Sequence, residues 1–181
     1  KAGKYSGSAI FAKDGKPLVQ FASGLASRGY SVPNRVDTKF CIASMGKLFT
    51  TVGIALMKDE GKLDWDDPVG KFLPDYPVED VRKKVTIRHL LTHRSGLADI
   101  FTDTFFEASK DRYKTVASWM SLFENKPLEF EPGTRSRYSN AGFVLLGAIL
   151  EKLSGKEYFA FLKERVFQPL GMKGTDGYAL D

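Results

Sequence analysis

Long uncharged runs alternate with short charged or turn-rich stretches along this chain, and the longest of them sets the pattern. From Phe40 to Met57 the only charge is Lys47. A run that long reads as a helix that is apolar on nearly every side and therefore buried. It closes in Lys58-Asp59-Glu60, with Gly61 placed as a C-terminal cap. A second run, Ala141 to Leu150, carries no charge at all and predicts another buried helix, closed by Ser154-Gly155. Tyr158 to Val166 reads as a final helix ended by Pro169 and Gly171, followed by a polar tail from Gly174 to Asp181. At the other end, Ser8 to Ala12 and Leu18 to Ala22 are short apolar segments around Lys13-Asp14-Gly15-Lys16. They predict an antiparallel hairpin, residues 1–24, that has to join a larger sheet.

The remaining segments are weaker. Leu25 to Lys39 reads as a polar loop with Gly29, Pro33 and Asn34. Asp67-Pro68 suggests the start of a short helix from Val69 to Phe72. Thr86 to Thr92 predicts another, and Lys114 to Phe123 an amphipathic helix with Val116, Trp119, Met120 and Phe123 on one side. Phe101 to Phe106 has no clear period. After the first hairpin no convincing run of strands appears, which leaves a sheet without partners. The division expected is one incomplete domain: the hairpin, a helix over 44–60, and a mostly helical region over 61–181.

Composition narrows the classes. The 181 residues fit one ordinary domain, and 43% hydrophobic and 13% aromatic residues supply a sizeable core. The net charge is +5, but both signs are interspersed and no basic block stands out, which argues against nucleic-acid binding. Cys41 is the single cysteine, so no internal disulfide forms; its place in the apolar run predicts a small buried hydrophobe. No apolar stretch reaches the roughly 18 residues of a membrane span.

Candidate chemistry enters with Lys47. A lone ammonium in an apolar run is costly, and Ser44 lies one helical turn before it, roughly 4.5 Å along the axis and on the same face. That pairs a nucleophilic hydroxyl with a base. The lysine accepts a proton only as the neutral amine, a form that desolvation and the positive end of a helix favour. The same residues also suit a serine N-cap with a lysine that snorkels to the surface. Tyr138 and Asn140 precede the second uncharged helix. On their own they fit a hydrophobic staple and an N-cap as well as a proton relay and a substrate-binding amide. His89 and His93 stand four apart on a predicted helix, but a zinc-protease site wants Glu where Leu90 stands, and a third ligand. No G-x-S-x-G elbow is present. Cys41 and Leu48 occupy positions where a phosphate loop needs Gly and Ser or Thr. Phe101, Phe105, Phe106, Tyr113 and Trp119 suit either core packing or the wall of a substrate cleft.

Taken together, Ser44-Met45-Gly46-Lys47 and Tyr138-Ser139-Asn140 resemble the S-x-x-K and Y-x-N motifs of the serine β-lactamase and penicillin-binding-protein superfamily. The resemblance extends to Asp37 to Phe40, Thr86 to Leu97, Phe130 to Gly133, Ser139 to Gly142 and Gln168 to Met172, in family order over nearly the whole chain. It implies an α+β fold, a mixed sheet flanked by helices with a helical region between the first hairpin and the closing strands. It also implies a serine hydrolase of the β-lactamase, D-alanyl-D-alanine carboxypeptidase or esterase type. Ser44 would be the nucleophile, Lys47 the base, Tyr138 a proton carrier and Asn140 a substrate-binding residue. The substrate would be a β-lactam, a D-amino-acid peptide or an ester, with no metal or organic cofactor. The family favours export to the periplasm or medium, although related esterases are cytoplasmic.

One departure stands against this. The family carries a third motif, Lys-Thr-Gly or His-x-Gly, on a strand that supplies one oxyanion donor, and nothing after Asn140 matches it. Lys173-Gly174-Thr175 has the wrong order, and no histidine comes after His93. Losing one such donor costs roughly 100-fold to 1000-fold in rate. The expectation is therefore an N-terminal portion whose sheet is completed by a C-terminal segment or a second chain. The alternative is a non-catalytic ligand-binding or sensor module on the same scaffold, or one fragment of a split enzyme that is inactive alone.

Overall fold

A computed structural model describes residues 5–177; the last four residues of the predicted polar tail lie outside them. The chain falls into two compact units, one up to Ile42 and one from Ala43 onward.

In the first unit, β1 (Gly7–Lys13) and β2 (Lys16–Ser23) pair antiparallel, from Gly7 opposite Ser23 to Lys13 opposite Lys16. The predicted turn forms at Asp14 and Gly15, both at positive φ (50° and 73°), as a tight two-residue hairpin requires. A bulge lies just after Phe11. The loop expected over residues 25–39 instead contains a short ribbon, β3 (Leu25–Ser27) with β4 (Val32–Pro33). Asn34 secures it: its amide donates to the Ser23 carbonyl at 2.9 Å and to Ser6 Oγ at 3.0 Å, and its N–H to the Gly24 carbonyl at 2.9 Å. Alternation is too brief in three-residue and two-residue strands to be read from sequence. Cys41 is exposed, which corrects the expected buried hydrophobe.

The second unit is built on α6 (Asn140–Ser154), where Ala141, Gly142 and every residue from Leu145 to Leu150 are buried. The prediction from its missing charges holds. Around α6 pack α1 (Lys47–Asp59), α3 (Ile87–Leu91), α5 (Val116–Met120) and α7 (Tyr158–Leu162). Two further short helices, α2 (Glu79–Lys84) and α4 (Asp103–Glu107), complete the set. The buried set includes Ile54, Met57, Val69, Leu90, Leu145, Ile149, Phe161 and Phe167. Leu162 leads into a π-helical turn, Lys163–Phe167, which extends the predicted last helix. The predicted helix at 69–72 is a single 3-10 turn, Val69–Lys71.

The α1 expectation needs correction. Only one stripe of it, Thr50, Gly53, Ile54 and Met57, is buried. Leu48 is 63% exposed and Met45, in the turn before the helix, 74%. A lack of charge does not require burial all round, because a helix needs only one apolar stripe to pack. Its predicted end is accurate: Gly61 donates to the Lys58 carbonyl (2.8 Å) and Lys62 to that of Met57 (2.9 Å), the two bonds of a Schellman motif. α5 starts two residues later than expected because Thr115 and Ser118 form a reciprocal capping box that fixes its start, and it ends at Met120 rather than Phe123.

Two loops are laced together ahead of α6. The segment after α3, His93 to Leu97, runs beside Glu129 to Arg137. Glu129 N–H donates to the Gly96 carbonyl at 2.8 Å, Gly133 to Arg94 at 2.9 Å and Arg137 to His93 at 2.8 Å. Side chains add Arg94 Nη2 to the Gly133 carbonyl at 2.6 Å and Arg137 Nη2 to the Leu97 carbonyl at 3.1 Å. Gly96, at φ 78°, makes this approach possible, because a Cβ there would lie 2.2 Å from the Phe130 carbonyl oxygen. Gly96→Ala therefore combines a strained backbone with a steric clash and should destabilise the fold by at least about 2 kcal/mol. Gly29→Ala, where a Cβ meets nothing within 4 Å, should stay within about 0.5 kcal/mol. Urea melts of the two variants check this, and equal midpoints would contradict it.

Candidate active site

Ser44 lies in a 3-10 turn, Ala43–Gly46, that feeds directly into α1. Ala43 just before it holds a φ of 45°, a left-handed conformation that costs a non-glycine residue of order 1–3 kcal/mol and is concentrated at functional sites. Ser44 is exposed and Lys47 half-buried, so the hydroxyl is reachable while the amine is partly screened. The amine reaches back as the spacing predicts, with Lys47 Nζ 3.1 Å from Ser44 Oγ.

The other half of the site comes from the entry to α6. Ser139 is its N-cap, accepting the Gly142 N–H at 3.1 Å. This corrects the capping alternative for Asn140, which is the first helical residue and has its side chain free for other work. Asn140 Oδ1 accepts from Lys47 Nζ at 2.8 Å, and Tyr138 Oη lies 2.6 Å from Ser44 Oγ. The four residues singled out from sequence thus meet in one cluster. Lys47 Nζ also sits 4.9 Å from the centre of the Tyr138 ring and 5.6 Å from that of Phe143. Its side-chain partners are a hydroxyl and an amide oxygen, both neutral.

The electrostatics favour an acidic phenol. Partial burial pushes Tyr138 up. The Lys47 ammonium and the Ser44 hydroxyl bonded to it push the other way and hold it below the ordinary phenol range. Since Ser44 has one proton, a hydroxyl that accepts from Lys47 is able to donate to Tyr138.

Sequence reasoning missed two contributors. His93 and Phe143 form the wall behind Tyr138, with ring centroids 4.6 Å (His93 to Tyr138) and 5.2 Å (His93 to Phe143) apart. Helical spacing joins His93 to His89 as a metal pair, but the helix ends at Leu91 and His93 takes φ 58°. His89 instead closes the capping box of α3 with Thr86. Among the described residues no group of three or more His, Cys, Asp or Glu is placed to hold a metal ion. The aromatic group around Phe105 is mainly packing: Phe105 is buried against Tyr113 and Trp119, while Phe101 and Phe106 are exposed.

Comparison with known proteins identifies the family. The Beta-lactamase family model matches residues 2–179, and the chain belongs to that family. It is 36% identical over 179 residues to penicillin-binding protein 4* of Bacillus subtilis, covering 97% of this chain and 38% of that protein. It is 33% identical to esterase EstB of Burkholderia gladioli, covering 91% and 45%. Among solved structures, a penicillin-binding protein from Bacillus halodurans superposes with a TM-score of 0.89 at 36% identity, over 99% of this chain and 54% of that one. A D-amino acid amidase from Ochrobactrum anthropi does so with a TM-score of 0.77 at 32% identity, over 92% and 44%. The chain thus spans less than half the length of the curated relatives named, and its fold is that of their N-terminal part. No described helix is long and apolar enough to cross a membrane.

The phenol shift is directly measurable. In an ultraviolet difference titration against Tyr138→Phe, the Tyr138 signal should appear below the ordinary value of 10.0. Ionisation then sets in at lower pH than for a free tyrosine. Lys47→Met removes the stabilising cation and should move the signal up; an unmoved signal would contradict the assignment.

Proposed function

We propose that the protein is a serine hydrolase that works through an acyl-enzyme on an amide, ester or β-lactam carbonyl. The observation that carries this is the position of Ser44 Oγ, between Lys47 Nζ at 3.1 Å and Tyr138 Oη at 2.6 Å. An exposed hydroxyl held between an amine and an acidic phenol is an activated nucleophile. Ser44 Oγ forms a bond to the carbonyl carbon while its proton passes to the Lys47–Tyr138 pair. The carbonyl electrons move onto oxygen. As they return, the bond to the leaving amine or alcohol breaks, and Tyr138 delivers the proton to that group. Water then attacks the acyl carbon while the pair takes its proton; as the bond from that carbon to Ser44 Oγ breaks, the pair passes the proton to Oγ and the free acid leaves. Asn140 has two duties in this reading: its Oδ1 fixes the amine, and its amide NH₂ orients the substrate.

The substrate range is drawn from relatives. Penicillin-binding proteins, an esterase and D-amino acid amidases stand among them at 30% identity or more, which supports acyl transfer over a binding role without turnover. Because the chain spans only part of each relative, the activity is assigned to the full-length gene product.

Kinetics on that full-length product with an activated short-chain ester test the roles. Ser44→Ala should abolish turnover. Lys47→Met and Tyr138→Phe should each lower kcat/KM by about 100-fold to 10,000-fold, the span of a general acid–base group. Asn140→Ala should cost less, about 10-fold to 100-fold, because it removes positioning rather than a proton acceptor. Unchanged turnover in Ser44→Ala would refute the proposal.

A further inference from the structure

We infer that His93 is a positioning residue that sets the Tyr138 phenol against Ser44; this rests on the proposed role of Tyr138 as proton carrier. His93 holds the residues on both sides of that tyrosine. Its carbonyl accepts the Arg137 N–H at 2.8 Å. Its Nδ1 accepts the Ser139 N–H at 3.2 Å. Its ring lies on the phenol itself, with centroids 4.6 Å apart and planes inclined by 37°. One residue thus clamps three consecutive positions, and Phe143 backs its ring from α6.

The backbone is committed to the same task. At φ 58° the chain turns just after α3, so that the carbonyl and the ring both face the 137–139 segment. A histidine tolerates this conformation better than most residues, though still at a cost. The ring must also be neutral to accept at Nδ1, which leaves the proton on Nε2. Burial and the Lys47 charge both favour that state, holding the imidazole below its ordinary value. A protonated ring would turn its acceptor into a donor facing the Ser139 N–H, and would place a second cation near Lys47.

The chemical consequence is narrow. His93 touches neither Ser44 nor Lys47 by hydrogen bond, so its effect on Ser44 runs through the 137–139 segment, where its ring lies on the Tyr138 phenol. Without its clamp the phenol is free to swing out of the 2.6 Å contact, and misplacement by about 1 Å costs on the order of 100-fold in rate. Asparagine is the informative replacement: its Oδ1 stands where Nδ1 does, and it accepts the left-handed backbone. Alanine keeps neither the acceptor nor the ring.

The test is a double-mutant cycle in the full-length gene product, with the activated ester as substrate. His93→Ala should lower kcat by about 10-fold to 100-fold with KM changed less than about threefold, and His93→Asn should recover most of that loss. In a Tyr138→Phe background, His93→Ala should cost nothing further, because two residues acting through one phenol are not additive. Full additivity, or a kcat for His93→Ala within about twofold of the parent, would overturn the inference. Should the alanine variant fail to fold, His93→Asn decides alone: activity within about threefold supports the clamp, and loss comparable to Tyr138→Phe refutes it. If Tyr138→Phe itself leaves turnover intact, the parent reading of the site has failed rather than this one.

Discussion

The proposed reaction depends on one constraint: an amine must be held half out of water beside a hydroxyl, and among the described residues no carboxylate pairs with it. Lys47 meets it with neutral partners. Ser44 Oγ and Asn140 Oδ1 accept from its ammonium at 3.1 and 2.8 Å, and two aromatic rings flank it. A carboxylate in place of the amide would stabilise the cation and oppose proton transfer. An amide oxygen orients the amine at much smaller electrostatic cost. The aromatic faces add a weak attraction and exclude water. The neighbouring phenol becomes more acidic under the same field, so one charge tunes its partner.

Holding that arrangement requires two helices and two loops in register. The 3-10 turn places Ser44 on the approach to α1, and α6 packs against α1 with Ser139 as its cap. The cap Ser139 lies between Tyr138 and Asn140, so capping the helix also aims its two neighbours. The loop after α3 then fastens the approach to α6 through backbone bonds at Gly96, Arg94 and His93. The strained residues fit this picture. Four described non-glycine residues have positive φ; Asp14 lies in the hairpin turn and Ser31 just before β4, whereas Ala43 and His93 lie at the site. Strain located beside Ser44 and behind the Tyr138 phenol is consistent with a preorganised site.

Much of this is legible in the sequence, for identifiable reasons. The second uncharged run forms α6, and the later part of the first forms α1, which starts at Lys47 after a 3-10 turn rather than at Phe40; the glycines after them end both, because capping is a local property. Ser44 and Lys47 are legible as a pair because one helical turn brings them together. Their union with Asn140, 93 residues beyond Lys47, is tertiary, and family resemblance rather than periodicity points to it. The failures have physical causes too. Leu48 and Cys41 sit exposed because an uncharged segment need not be buried on every side. β3 and β4 escape a sequence reading because their pairing depends on Asn34 as much as on alternation. Helical spacing pairs His93 with His89, but the chain leaves the helix first, and the ring's work lies in the 137–139 segment.

The third motif that the family carries has no counterpart after Asn140, and the chain spans about half or less of each relative named. The roles of nucleophile, proton carrier and positioning group at these residues, and the turnover itself, are therefore proposals. The central claim is that Ser44 is the residue acylated. The most direct measurement is peptide-level mass spectrometry of the full-length protein after reaction with a fluorescent penicillin. The expected result is a mass increase equal to the intact lactam, confined to the peptide that contains Ser44 and absent from Ser44→Ala. An adduct that maps elsewhere, or that persists in Ser44→Ala, would contradict it.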